Sequence, residues 1–268
     1  MKSNRIIAVL LLQDGWLVQS KLFTRYLRIG NPIDAVKRLS EWGADELIYL
    51  DISKGEFNQN FRSDTKSDLK LSVFDLLQEV SQFAFMPMTV GGGIKTLQDI
   101  EKRLISGADK VSINSAGINN PDFIASAVNE FGSQCIVASV DYLRSNEREL
   151  VYDHVNKKTI DLDLNKLILK YESLGVGEIF LNSVEKDGTK QGMDVGVIGK
   201  IVDQVNIPVI ACGGVGKWQH FEEVLSETDV DAVAAANVFH HIDQSVYLAK
   251  KHLFANGFNV RPPELIYV

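Results

Sequence analysis

The sequence repeats one long segment, and this repeat limits the possible folds more than any other feature. Residues 85–116 read FMPMTVGGGIKTLQDIEKRLISGADKVSINSA, and residues 206–238 read NIPVIACGGVGKWQHFEEVLSETDVDAVAAANV. Each copy has an apolar run that ends in glycines, a segment with helical periodicity and a second apolar run, which is the pattern of a β-loop-α-β unit. Such self-similarity predicts a fold built from two equivalent halves.

The repeat continues upstream of both segments. Residues 44–51 match residues 176–183, and residues 5–11 match residues 135–141. Each half of the chain therefore supplies four strands that alternate with four helices. Two such halves make an eight-stranded (β/α)8 barrel, the TIM barrel of the α/β class.

One domain accounts for the whole chain. A length of 268 residues with 45% hydrophobic content is the size of one such barrel and is enough to bury its core. Because no linker is visible, we expect a single domain over residues 1–268, with half-barrels at about 1–131 and 132–268.

Apolar runs and turn signals place the individual elements. The predicted barrel strands are 5–12, 46–51, 88–90, 110–113, 135–141, 178–182, 208–212 and 232–236. The predicted helices are 34–43, 69–82, 97–106, 121–131, 164–174, 197–205, 221–226 and 245–255. Three segments follow strands at the face where barrels build their sites: a long loop at 13–31, a polar run at 53–68 and a β-hairpin at 147–161. A plain insertion explains the polar run equally well.

Charge and composition exclude several classes of protein. A formal charge of -7 argues against a surface that binds nucleic acid or an anionic membrane, because such a surface needs a basic excess. No apolar stretch approaches the roughly 18 residues of a membrane span, and the first residues read as a strand instead of a signal sequence. Cys135 and Cys212 fall at predicted buried strand positions, as core thiols do in a reducing compartment. We therefore expect a cytoplasmic protein.

The five histidines do not have the spacing of a metal site. His240 and His241 follow the last predicted strand, and His154, His220 and His252 fall at predicted surface or hairpin positions. Neither an HExxH motif nor a cysteine cluster is present. The sequence therefore predicts no metal and no cofactor.

Glycines follow two predicted strands at equivalent places in the two halves. Gly91–Gly93 follow the third strand, and Gly213 and Gly214 follow the seventh; Asn114 and Asn237 stand at the turns after the fourth and eighth strands. Glycine-rich loops at neighbouring strand ends can hold phosphate oxygens through their N–H groups, although tight turns also explain such glycines. The duplication predicts two phosphate sites across the barrel mouth and a ligand with a phosphate at each end.

Four charged residues stand where buried parallel strands should begin with apolar residues. Arg5, Glu46, Lys110 and Glu178 each start a predicted strand, as two cations and two anions. Charges in such a layer must be paired or solvated. A salt-bridged plug that stabilises this end of the barrel is one interpretation.

The motifs together resemble the cyclase subunit family of imidazole glycerol phosphate synthase. Matching segments extend over essentially the whole chain: Arg5-Ile6-Ile7, Asp14-Gly15, GADELIYLDI, TVGGGI, GADKVSINSA, FGSQCIV, Lys186-Asp187-Gly188-Thr189-Lys190 and Ala236-Asn237-Val238-Phe239-His240. The resemblance implies a barrel that receives ammonia from a glutaminase subunit. In that family the ammonia serves to cleave and cyclise a bis-phosphorylated ribonucleotide.

The resemblance also implies roles for individual residues. The four strand-start charges correspond to the gate through which ammonia enters, and Asp109 corresponds to a residue of the glutaminase interface. The positions implied to bind the phosphorylated ligand are Gly92, Gly93, Asn114, Asn182, Asp187, Gly188, Gly213, Gly214, Ala236 and Asn237.

The catalytic pair of that family is incomplete in this sequence. Two aspartates at the ends of strands one and five serve there as general acid and base, because two carboxylates in one cavity can split their pKa values. Asp141 holds the strand-five position, whereas Leu11 holds the strand-one position and cannot transfer a proton. The internal repeat pairs the same two positions. In addition, a lysine of the family's first loop is Gln19 here, and a threonine of its site is Asn182.

Three functional hypotheses follow from this pattern. The leading one is a synthase-like subunit that conducts ammonia from a glutaminase through the barrel for acetamidino-sugar formation in surface-polysaccharide (lipopolysaccharide O-antigen) biosynthesis, together with a separate ATP-dependent sugar amidotransferase. The second is an authentic cyclase subunit of histidine biosynthesis whose missing acid comes from elsewhere. The third is a non-catalytic scaffold that activates the glutaminase.

Overall fold

Strands and helices alternate along the described part of the chain, and the strands form the barrel. A computed structural model describes residues 3–53, 73–145 and 148–266. The strands in these ranges are β1 (Arg5–Gln13), β2 (Trp16–Lys21), β3 (Arg25–Gly30), β4 (Glu46–Asp51), β5 (Met88–Gly91), β6 (Lys110–Ile113), β7 (Ile136–Ser145), β8 (Arg148–Asp153), β9 (Lys158–Asp163), β10 (Glu178–Ser183), β11 (Val209–Cys212) and β12 (Ala232–Ala235).

Eight parallel strands close into a barrel. Their order is β1, β4, β5, β6, β7, β10, β11 and β12, and β12 pairs with β1. The pairings of β6 with β7 and of β12 with β1 join the two halves of the chain. The predicted (β/α)8 barrel is therefore confirmed.

Helices follow the barrel strands in the order that the repeat predicts. In the described ranges they are α1 (Pro32–Glu41), α2 (Val73–Ser81), α3 (Leu97–Ile105), α4 (Ser115–Asn119), α5 (Pro121–Phe131), α6 (Leu164–Ser173), α7 (Val195–Val202), α8 (Gln219–Glu227), α9 (Val238–His241) and α10 (Ser245–Ala255). Local chemistry sets their starts: Asn31 caps α1 ahead of Pro32, and Thr96 and Asp99 form a capping box at α3. None of the helices described here is long and apolar enough to cross a membrane.

Antiparallel hairpins extend the barrel at equivalent places in its two halves. The hairpin predicted at 147–161 is confirmed as β8 and β9, which continue from β7. The long loop predicted at 13–31 is wrong, because β2 and β3 form a second hairpin that continues from β1. Its turn contains Leu22 and Phe23, both with φ of 53°, and neither residue type signals such a turn.

The expected burial of the two cysteines in strands needs correction, and the predicted polar run lies almost wholly outside the described residues. Cys135 is not in a strand: it ends a 3-10 turn (Ser133–Cys135), and β7 starts at the next residue. Cys212 lies in β11 but, like Cys135, is only half-buried. The polar run at 53–68 falls outside the described residues except for Ser53.

Side chains of the barrel strands alternate between two apolar layers. One layer packs against the helices and forms most of the core. The other fills the barrel interior with Ile7, Val9, Ile48, Val137, Phe180, Ile210, Ala232 and Ala234. This alternation decides which residues reach the interior and its two ends.

A buried ion-pair cluster ties the last helix to the beginning of the barrel. Lys250 of α10 is 1% exposed and pairs with Asp45, and its Nζ donates to the Gly43 carbonyl oxygen at 2.5 Å. Burial lowers the pKa of Lys250, whereas Asp45 opposes this effect. Asp45 also accepts the backbone N–H of Ile6 at 2.8 Å and pairs with Arg261 at 3.2 Å. The one carboxylate thus connects β1, α10 and the C-terminal segment.

We expect Asp45→Ala to lower the free energy of unfolding by about 3–5 kcal/mol, because it leaves the Lys250 ammonium buried without its partner. Urea denaturation measures this loss. Asp161→Ala is the control, since that carboxylate is 86% exposed and its pairing with Arg148 is worth at most about 1 kcal/mol. Similar losses in the two variants would contradict the structural role of Asp45.

Candidate functional site

A closed ring of charges occupies the N-terminal end of the barrel. Arg5 pairs with Glu46 and, at 2.6 Å, with Glu178; Lys110 pairs with the same two carboxylates at 3.2 and 2.9 Å. The Glu46 and Glu178 side chains are 8% and 6% exposed, whereas those of Arg5 and Lys110 are 24% and 21% exposed. The predicted pairing is confirmed: each carboxylate bridges two cations, so the ring alternates in sign.

Asp109 lies beside this ring and has a clear structural role. Its Oδ2 accepts the N–H of Met88 at 2.7 Å and so fixes the start of β5 against β6. The residue is nonetheless exposed. Its implied place in a glutaminase interface stays a prediction.

Three buried hydroxyls lie on barrel strands between the charge ring and the opposite end. Thr89, Ser112 and Ser139 are at most 5% exposed, and their neighbours in sequence belong to the helix-facing core layer. By alternation they face the interior, where Thr89 is in register with Lys110. The interior therefore has hydroxyls on β5, β6 and β7, while its apolar side chains come mainly from the other strands and, at Val137, from β7 itself.

Asp141 ends this polar side at the C-terminal mouth of the barrel. Its side chain is 7% exposed, with Oδ2 accepting from Asn114 Nδ2 at 2.8 Å and Oδ1 accepting from Asn182 Nδ2 at 3.2 Å. Asn114 also donates to Ser139 Oγ at 3.3 Å. The structure thus brings three predicted site residues, Asp141, Asn114 and Asn182, into one hydrogen-bonded group.

The position opposite Asp141 in the internal repeat is apolar. Leu11 lies in register between Val18 of β2 and Leu50 of β4 and packs against the interior layer. Ala236 and Cys212 also pack against that layer. The mouth therefore has a polar half on β6, β7 and β10 and an apolar half on the remaining strands.

The loop after β10 holds the β2–β3 hairpin in place. Asp187 accepts from Ser20 Oγ at 2.6 Å and from the Phe23 N–H at 3.3 Å. Burial raises the pKa of Asp187, although these hydrogen bonds oppose it. Asn237 Nδ2 donates to the Ser20 carbonyl oxygen at 2.7 Å. Asp187 and Asn237 thus position the hairpin.

The glycines of the predicted phosphate loops have geometric reasons to be glycine. A Cβ on Gly92 would lie 1.9 Å from the Asp51 carbonyl oxygen, and one on Gly213 would lie 2.8 Å from that of Ser183. A Cβ on Gly214 would lie 2.0 Å from the Gly192 carbonyl oxygen, and Gly93 has φ of 65°. Tight turns therefore account for these glycines, and phosphate binding by them stays a prediction.

Several polar atoms near these turns have no partner within the described residues. Asn114 Oδ1, Ser115 Oγ, Asn237 Oδ1 and Gln19 Oε1 are buried and without a hydrogen bond there. Buried polar atoms are normally hydrogen-bonded. A polar ligand at the mouth would supply the missing partners.

His154 is a member of this site that the sequence did not identify. It stands in the turn between β8 and β9, and its Nδ1 lies 3.6 Å from Asp141 Oδ2. The Asp141 carboxylate, as an acceptor facing the ring, raises the pKa of His154, while partial burial opposes the effect. The sequence feature that could have indicated this role is the predicted hairpin after the fifth strand, because its turn lies over the mouth. His220, also expected at the surface, is buried and accepts the Gly216 N–H.

We expect Gly188→Ala to loosen the β2–β3 hairpin. Gly188 has φ of 66°, and a Cβ there would lie 2.6 Å from the Ser20 carbonyl oxygen. Hydrogen exchange at the Leu22 amide, which donates to the Asp187 carbonyl oxygen, should become faster.

Gly257→Ala is the matched control. It has φ of 83° but no atom within 4 Å of the added Cβ, so it carries the left-handed cost of about 1–2 kcal/mol without the contact. Equal exchange at Leu22 in the two variants would contradict the close approach.

Comparison with known protein families agrees with this architecture. A family model described as "Histidine biosynthesis protein" matches residues 5–244. The match begins at the first residue of β1, runs past the end of β12, and contains the charge ring, Asp141 and both hairpins. This chain therefore belongs to the histidine biosynthesis protein family of (β/α)8 barrels.

Proposed function

We propose that this chain is the synthase-like subunit of a glutamine-dependent amidotransferase complex. It receives ammonia from a glutaminase subunit at the N-terminal end of the barrel and conducts it to the mouth. The ammonia serves acetamidino-sugar formation in surface-polysaccharide (lipopolysaccharide O-antigen) biosynthesis, together with a separate ATP-dependent sugar amidotransferase.

The charge ring is the observation that carries this proposal. Arg5, Glu46, Lys110 and Glu178 are the only described residues that pair across the barrel end as a four-membered ring. A plug that only stabilised this end could be apolar, since replacing buried ion pairs by hydrophobic residues is often neutral or stabilising. Four charges held there favour a role in passage over a role in stability alone.

The barrel interior supports passage of a small polar molecule. The hydroxyls of Thr89, Ser112 and Ser139 lie between the ring and Asp141. Hydroxyls both donate and accept hydrogen bonds, so they can replace the water that ammonia gives up on entering. The apolar residues opposite leave no competing charge along the interior.

The mouth argues against the ordinary cyclisation reaction. Leu11 occupies the position of one of the two carboxylates on which the resembled cyclases depend, and loss of a general acid or base typically costs about 10²–10⁴-fold in rate. Gln19 likewise replaces a lysine. Two charged side chains of the resembled cyclases, the strand-one carboxylate and the first-loop lysine, are thus absent here.

An authentic cyclase subunit of histidine biosynthesis is the second candidate. The family match and the intact group of Asp141, Asn114 and Asp187 favour it. A non-catalytic scaffold that activates the glutaminase is a third possibility, and it differs from the other two in needing no passage of ammonia.

We expect Lys110→Met to reduce glutamine-dependent amidation by about tenfold or more, because it removes one side of the charge ring. Amidation with added ammonium chloride should fall less, since that ammonia is free to reach the mouth directly. The ratio of the two rates, measured in the glutaminase complex, isolates passage from chemistry.

Lys200→Met is the matched control, because Lys200 pairs with Glu149 at 2.9 Å on the exposed outer surface. It should leave both rates unchanged. An unchanged ratio in Lys110→Met, with the glutaminase still bound in calorimetry, would favour the scaffold.

We expect the native chain to form no cyclised product at ordinary cyclase rates from the bis-phosphorylated aminoimidazole ribonucleotide with saturating ammonium chloride. Leu11→Asp, which restores the second carboxylate, is the comparison. Full activity of the native chain would overturn the amidation proposal and establish the cyclase. Cyclase activity that appears only in Leu11→Asp would show that the leucine at position 11 is what prevents cyclisation in the native chain.

A further inference from the structure

Asp141 is 7% exposed, and a histidine that is 42% exposed lies beside it. Asn114 and Asn182 donate to its two oxygens, and Leu11, at the equivalent position of the repeat, packs against the apolar interior layer. His154 approaches Oδ2 from the hairpin above, with its Nδ1 at 3.6 Å. The His154 side chain is 42% exposed, so it links this buried carboxylate to the solvent at the mouth.

The hairpin turn is built to place the histidine. Asp153 accepts the N–H groups of Val155 at 2.9 Å and Asn156 at 3.1 Å, and the Asn156 amide at 2.6 Å. Tyr152, one residue earlier, contacts Phe23 of the other hairpin edge-on, with ring centroids 6.2 Å apart. The turn that carries His154 is thus fixed both by its own hydrogen bonds and by the facing hairpin.

A carboxylate that faces Nδ1 determines the chemistry of the other ring nitrogen. In the neutral ring it favours the proton on Nδ1, which leaves Nε2 as an acceptor. Within residues 3–53, 73–145 and 148–266, Nε2 of His154 has no hydrogen-bond partner, and the contact that the ring makes to Asp141 is through Nδ1. An aspartate that orients a histidine in this way is the arrangement used where histidine is a general base.

We propose that Nε2 of His154 is the proton-transfer atom of this barrel mouth and that Asp141 is its positioning residue. The pair replaces the two facing carboxylates, of which Leu11 leaves only one. The resembled cyclases use Asp141 directly, whereas here it acts through the histidine.

The chemistry suits addition of ammonia to a carbonyl compound, and this part rests on the proposed ammonia delivery. The nitrogen lone pair forms a C–N bond while the C=O π pair moves to oxygen. His154 Nε2 accepts one proton from the nitrogen, whose N–H electron pair stays on nitrogen. The imidazolium then returns that proton to the oxygen, so the product is a neutral carbinolamine and the histidine is restored.

The charged and titrating groups around the pair are Asp153 on the same hairpin and Asp187 on the loop after β10. Tyr26, Tyr152 and Cys212 also interact with Asp141. Asp141 and Asp153 raise the pKa of His154, and the raised pKa values of Tyr26, Tyr152 and Cys212 keep these three groups neutral where histidine titrates.

Ring-nitrogen NMR of the full chain labelled with ¹⁵N-histidine tests the pairing. We expect His154, identified by its loss in His154→Gln, to titrate above an ordinary histidine and to carry its neutral-state proton on Nδ1. Asp141→Asn should lower this pKa and mix the two tautomers. Titration at or below the ordinary value, or an Nε2–H tautomer in the native chain, would overturn the proposal without the need for any variant.

His252 is the internal control for these spectra. It pairs with Glu222 at 2.8 Å on the outer helices, so Asp141→Asn should leave its resonances unchanged. Equal changes at both histidines would mean that Asp141→Asn disturbs the whole fold. In that case the tautomer of His154 in the native chain alone would decide whether the proposal holds.

A kinetic experiment tests proton transfer itself. With ammonium chloride and ribulose 5-phosphate as the carbonyl probe, cyanoborohydride traps the aminated sugar for mass spectrometry. The native chain should exceed His154→Gln by about 10²-fold or more, with His252→Gln unchanged. Equal rates in the native chain and His154→Gln would overturn the proton-transfer role. Added ammonium does not need to pass the charge ring. Equal rates in this assay would therefore count against proton transfer by His154 without bearing on the proposed passage of ammonia.

Discussion

The closed parallel ladder is the constraint on which the rest of the molecule depends. Once β7 pairs with β10, every second residue of each barrel strand must face the interior. On β6 these residues are Lys110 and Ser112, and Asn114 follows directly after the strand at the same spacing of two. One strand therefore contributes to the charge ring, to the hydroxyl-lined interior and to the mouth. The register also makes Asp141 and Asn182 direct neighbours, which accounts for their hydrogen bond.

The duplication conserves the backbone geometry of the two halves but not their chemistry. Asp109 and Asp231 both accept the first N–H of a neighbouring strand, and Gly92 and Gly213 both lie against a preceding strand end. At the mouth, by contrast, Leu11 corresponds to Asp141. The polar residues Asn114 and Asn182 there correspond in the repeat to Ala236 and Leu50, which pack against the apolar interior layer. The hydrogen-bonded polar group at the mouth thus lies on one side of a nearly symmetric scaffold.

Sequence reasoning succeeded where the internal repeat or the cost of burying a charge determined the structure. The repeat located all eight barrel strands, and the cost of unpaired buried charge predicted that Arg5 and its partners would pair. It failed where the outcome depended on contacts between distant elements. The turn at Leu22 and Phe23 has no glycine or asparagine to signal it, because Asp187 stabilises it from another loop. His154 was expected at a surface or hairpin position, as it is, but its contact with Asp141 was missed, since only the folded hairpin brings the two together.

The alternating signs of the charge ring have a consequence for selectivity. A cation that reached the barrel end would be held by Glu46 and Glu178, and an anion would be held by Arg5 and Lys110. An uncharged molecule of ammonia's size meets neither trap, and the ring as a whole carries no net charge that would draw counter-ions toward the opening. Under the proposed function, such a ring would act as a filter against ions of both signs, and it would let nitrogen pass only in its unprotonated form, ready to act as a nucleophile.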